Sequence, residues 1–184
     1  MMSEQKTHII EEAKLFADRG IRPYANLFEE NEGIPRPLIE QMAARKYLAA
    51  TFPACYGGLD LSPLEYGFLT KEIGMVCPST RSLLTVHVSL VGESILKWGS
   101  NLQKEQWLPV MAMGEKIGSF ALTEPATGSD ARAIKTSYIK KDGKFIVNGK
   151  KNGSLFLLLQ TFFLQWPNAM EKSVLLSLSV ILRE

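Results

Sequence analysis

One short stretch of the 184 residues has the side chains of a ligand site: Phe120-Ala121-Leu122-Thr123-Glu124-Pro125-Ala126-Thr127-Gly128-Ser129-Asp130. An apolar run of strand-like composition stops at Thr-Glu-Pro and passes into a turn rich in hydroxyls. Proline fixes one φ and removes a donor, and glycine permits φ > 0, so this reads as a strand ending in a shaped loop. Such a loop offers the hydroxyls of Thr123 and Ser129, with free backbone amides, to a ligand. The chemistry is that of neutral donors orienting a bound group. Little else in the chain is reactive. Cys55 and Cys77 have no Cys-x-x-Cys spacing and read as free, buried thiols of a cytosolic or organellar protein. His8 and His87 are too few for a histidine metal centre, and no metal site is expected.

The elements that must hold this loop follow from periodicity. Ile9, Ile10, Ala13, Phe16, Ala17 and Ile21 recur at helical spacing with charges between them, up to an interruption or kink at Pro23. A second helix fits Pro37 to Tyr47. The loop Phe52–Asp60 carries paired glycines. Ser62-Pro63 then makes an N-cap followed by proline at the first helical position, opening a helix to about Val76. Another runs from Pro78-Ser79-Thr80 to Gly99, and a shorter one from Asn101 toward Met113-Gly114. This is an all-helical bundle of about five helices. After Gly118 the pattern changes. Ser119–Leu122 is a strand candidate, Ile134–Lys140 alternates, Lys141-Asp142-Gly143-Lys144 is a hairpin turn, and Phe145-Ile146-Val147 runs into Asn148-Gly149. The fold class is α+β: an all-α helical N-terminal domain over residues 1–115, then the start of a small β-barrel domain over 116–151.

Composition adds boundaries. Net charge is +2, with Lys and Arg scattered, which implies no nucleic-acid partner. The longest apolar run, Leu155 to Trp166, is about half a membrane span and is broken by glutamines, so no membrane span is expected. The N-terminus lacks a secretory signal, which points to a cytoplasmic or organellar protein. Tyr56-Gly57-Gly58 reads as a structural turn. His87 reads as a satisfied core histidine, Trp98 and Trp107 as packing residues, and Lys150-Lys151 as a solvated turn.

Five separated motifs, in order, resemble the acyl-CoA dehydrogenase family. They are Thr123 to Asp130, Tyr56-Gly57-Gly58-Leu59, Ile95-Leu96-Lys97-Trp98-Gly99-Ser100, Trp107-Leu108-Pro109 and Val147-Asn148-Gly149-Lys150-Lys151. Thr127 departs from the family's usual Ala. The resemblance covers residues 1 to about 151. It implies FAD as cofactor, with Phe120, Leu122 and Thr123 lining the flavin and Ser129 near both the flavin and the substrate thioester. It implies α,β-dehydrogenation of an acyl-CoA or other acyl thioester, an electron-transfer flavoprotein as acceptor, and a dimer or tetramer at full length. The family's catalytic base is a Glu that lies beyond this chain, and the C-terminal helical domain is absent from it. Glu124 is not that base, since it belongs to the loop motif. The chain alone is therefore expected to be inactive. Two alternatives stand beside this. The Arg81 segment, Ser79 to His87, resembles members acting on carrier-protein thioesters in biosynthesis. A truncated, inert chain would act at most as an interaction module.

Residues 152–184 do not fit the family. They are heavy in Leu and Phe and short of charge, a poor continuation of a β-barrel. With each new codon beginning at the third base of the printed one, Asn152-Gly153-Ser154-Leu155 can encode Trp-Ile-Ser, the segment the family carries there. Later fragments match as well, so this tail is read as a frame-shifted translation. Sequencing the coding DNA across codons 150–153 decides it, and an unbroken frame relative to close homologues would sink the idea.

Overall fold

The computed structural model describes residues 4–142, 144–153, 162–165 and 176–178. Helix α1 spans Glu4–Phe16. It runs on through a wide π turn, Ala17–Ile21, and a tight 3-10 turn, Arg22–Tyr24, into α2, Ala25–Glu30. Pro23 has no N–H to give the preceding turn, and the change of winding absorbs that loss. The next helix, α3, is Arg36–Ala44, shorter than the sequence pattern allowed. Lys46 takes φ 60° and the chain re-enters as a 3-10 turn, Tyr47–Ala49.

Helix α4, Pro63–Gly74, begins with a reciprocal capping box between Ser62 and Glu65. The same carboxylate receives the Lys6 ammonium at 2.9 Å, which ties α1 to α4. Helices α5, Pro78–Leu84, and α6, Glu93–Trp98, form one helical run joined by a π segment, Thr85–Gly92. Cys77 is buried, and its sulfur caps α5 by accepting from the Thr80 N–H at 3.5 Å. Cys55 is exposed, contrary to expectation: it lies beside exposed Ala54 in a surface 3-10 turn that turns only Tyr56 toward the core. Ser100 and Gln103 cap α7, Asn101–Ala112.

The helices enclose one core, with Ile39, Met42, Leu48, Phe52, Leu69, Ile73, Leu83, Val88 and Met111 fully buried. Each large aliphatic removed from water contributes about 1.5–3 kcal/mol. Trp107 packs against this core from the edge, while Trp98 is 43% exposed with the Lys97 ammonium 5.0 Å from its ring. The paired glycines are structural. Gly57 has φ +87°, and a Cβ on Gly58 would collide with the Phe52 carbonyl.

Strand β1 is Gly118–Ala121. Strands β2, Ser137–Lys141, and β3, Lys144–Asn148, form a separate antiparallel hairpin in which Lys141 faces Lys144 and Asp142 takes φ 51°. The tail carries strands too. Phe162–Gln165 (β4) lies parallel to β1, and Leu176–Leu178 (β5) lies antiparallel to β4. That departs from the sequence expectation. Most of residues 152–184, the stretch expected from sequence to be out of frame, falls outside the described residues.

Candidate flavin-facing loop

The loop is held at both ends. At its entry, the Gly118 N–H donates to His87 Nδ1 at 3.0 Å, and His87 Nε2 sits 3.3 Å from the Met111 carbonyl. His87 is 0% exposed. It is neutral in that role, because only an unprotonated nitrogen accepts from Gly118. Burial pushes its pKa down to about 4, against a small upward pull from Met111. Gly118 has no room for a side chain, since a Cβ there would lie 2.7 Å from Val91 Cγ1. Side chains of the π segment therefore lie directly against the β1 backbone.

At its exit, Glu124 is the organising residue. Its carboxylate is 7% exposed and accepts four donors. Lys135 N–H reaches Oε2 at 2.7 Å and Thr136 N–H reaches Oε1 at 2.9 Å. The Thr136 hydroxyl donates to Oε1 as well, and Lys151 Nζ lies 3.0 Å from the same oxygen. These donors, the Thr136 hydroxyl foremost, hold the Glu124 pKa down to about 2. A carboxylate so occupied is a poor proton acceptor, which agrees with reading Glu124 as a loop residue and not as a base. Thr136 is fully buried, and a Cβ on Gly149 would strike its hydroxyl, so Gly149 makes room for the donor.

The same contacts fix the loop's backbone. Lys151 Nζ also donates to the Leu122 carbonyl at 3.0 Å, and the Asn152 N–H donates to the Thr123 carbonyl at 2.9 Å. Glu124 and Thr127 exchange two backbone bonds, N–H to carbonyl, at 2.9 and 3.1 Å. Thr127 Oγ1 donates to the Asp130 carbonyl at 2.6 Å. So the departure from Ala at position 127 puts a hydroxyl to use inside the loop.

The residues singled out from sequence fall as follows. Phe120 is half-buried on β1 and packs on the core, and Leu122 is half-buried. Thr123 and Ser129 are exposed, on either side of the tight Glu124–Thr127 turn. Sequence reasoning missed Lys151. It is no solvated turn residue, because its side chain is 12% exposed and ion-paired. The available signal was a glutamate in a loop without a cation of its own, which needs one from elsewhere once buried. Among the described residues, no group of three or more His, Cys, Asp or Glu could hold a metal ion, and no helix is long and apolar enough to cross a membrane.

Comparison with known proteins follows the same lines. The family model for the acyl-CoA dehydrogenase N-terminal domain matches residues 3–115. An acyl-CoA dehydrogenase of Bacillus subtilis (strain 168) is 35% identical over 157 residues, covering 83% of this chain and 41% of the relative. The mitochondrial short-chain specific acyl-CoA dehydrogenase of Rattus norvegicus is 35% identical over 136 residues, 74% of this chain and 33% of its own. Among solved structures, a glutaryl-CoA dehydrogenase from Mycobacterium smegmatis in complex with FADH2 superposes with a TM-score of 0.85 at 27% identity. That match covers 90% of this chain and 43% of the other. The chain thus spans about two-fifths or less of the length of these relatives. With its helical domain, its shaped loop and these matches in agreement, the chain belongs to the acyl-CoA dehydrogenase family.

Proposed function

We propose that this chain supplies the helical domain, residues 1–115, and the first part of the middle β domain, residues 116–151, of an FAD-dependent acyl thioester dehydrogenase. The carrying observation is the Thr123–Ser129 loop. Thr123 and Ser129 are exposed while the loop's backbone is clamped by the buried Glu124 cluster. An open, neutral and rigid donor surface fits the polar edge of a flavin, which needs hydrogen bonds without a competing charge. Thr123 would donate to the ring, Leu122 would contribute its backbone, Phe120 would flank the ring, and Ser129 would orient both cofactor and thioester arm. FAD, when bound, supplies the hydride acceptor for α,β-dehydrogenation of an acyl-CoA. Glu124, occupied by its four donors, is not assigned the role of taking the α-proton. An electron-transfer flavoprotein is the acceptor that fits such a reaction. Cytoplasmic or organellar residence and assembly into a dimer or tetramer belong to the same reading.

The test is titration of the purified chain with FAD, followed by flavin fluorescence. Saturable quenching is expected, with affinity too weak for the cofactor to survive gel filtration, because half the relatives' length or more is not part of this chain. Acyl-CoA oxidation with an artificial acceptor should be absent. A folded chain that leaves flavin fluorescence untouched at every concentration would favour an inert interaction module instead.

A further inference from the structure

We propose that Glu124 and Lys151 form a paired positioning device that sets the backbone of the cofactor-facing loop. The idea rests on the reading of that loop as flavin-facing. Glu124 gathers the chain from its C-terminal side, through the N–H groups of Lys135 and Thr136. Lys151 does the reverse: its single ammonium bridges the Glu124 carboxylate and the Leu122 carbonyl, each at 3.0 Å. The residue after it, Asn152, takes the Thr123 carbonyl. Two successive carbonyls are thereby drawn toward residues 151–152. Fixing both carbonyls fixes the intervening peptide planes. The orientation of Thr123, which carries the hydroxyl that meets the ligand, is set through its own carbonyl and that of Leu122. Neither Glu124 nor Lys151 has another visible duty: both are withdrawn from solvent, and burying a charged pair costs stability unless the geometry is worth keeping.

The test uses the full chain and FAD itself. E124Q, K151M, the double variant and the milder T136V are titrated with FAD, the visible circular dichroism of the bound flavin is recorded, and each melting midpoint is measured without FAD. E124Q and K151M should each weaken FAD binding at least about tenfold and change the flavin dichroism. The double variant should be no weaker than the worse single one, because both residues act through one contact. T136V removes one donor and keeps the charge pair, so it should weaken binding about threefold. A carboxylate that merely stabilises the fold would lower the midpoints and leave affinity and dichroism of the folded variants unchanged. That result overturns the positioning role and leaves the flavin reading standing. If E124Q does not fold, T136V decides by the same two readouts. An unaltered, folded chain without saturable FAD binding removes the flavin reading and this proposal together.

Discussion

His87 shows how one buried side chain can dominate a pH response. The folded protein keeps its imidazole neutral, with a pKa near 4, against about 6.5 in the unfolded chain. A depressed folded pKa leaves stability intact above the unfolded value and removes it as pH falls from about 6.5 toward 4. Glu65 and Glu124, each held down to about 2, shed their contributions only below about 4.5. Among His87, Glu65 and Glu124, the interval from pH 7 to 5 therefore isolates the histidine. Urea unfolding should show roughly 2 kcal/mol lost across it, and H87Q should flatten the slope. An unchanged slope in H87Q would refute the assignment. His87 was legible as a satisfied core residue because it sits in an apolar run. Its acceptor role toward Gly118 was not, because that partner lies 31 residues away. Lys151 was misread for the same reason: its neighbours are polar, and the acid that buries it is 27 positions upstream.

At the scale of elements, what could be read from sequence was what is encoded locally. Ser62-Pro63 marked the start of α4, and its capping box needs only residues three apart. The hairpin turn around Asp142 was set by its own dipeptide. The two π segments were invisible, since a one-residue change of winding leaves apolar spacing almost intact. The start of α7 offers a clean check. Ser100 is exposed and its hydroxyl accepts from the Gln103 N–H at 3.2 Å. S100A should cost about 1 kcal/mol in denaturant unfolding with no change in the m-value. A loss below about 0.3 kcal/mol would mean that water replaces the cap.

Among the described residues, the helical unit is joined to the β portion where the His87 and Val91 side chains meet the Gly118 backbone and where Ile117 and Phe120 pack on the helical core. The helical unit satisfies its own core. The β portion is organised around one carboxylate, and that arrangement has a temporal side. Synthesis delivers residues in order, and domains generally fold as units as they emerge. Apart from Ile117 and the flanking Phe120, the core residues of the helices precede residue 116, so most of that core can close early. Glu124 emerges unpaired and waits for Thr136, then for Lys151. In stalled nascent chains of increasing length, the helices should become protease-resistant first. The Thr123–Asp130 segment should stay cleavable until Lys151 has left the ribosome, and protection in shorter chains would contradict this order. The last anchors of the loop, Lys151 and Asn152, are thus also the last of its partners to be synthesised: until they arrive, the Leu122 and Thr123 carbonyls lack the donors that complete the loop's shape.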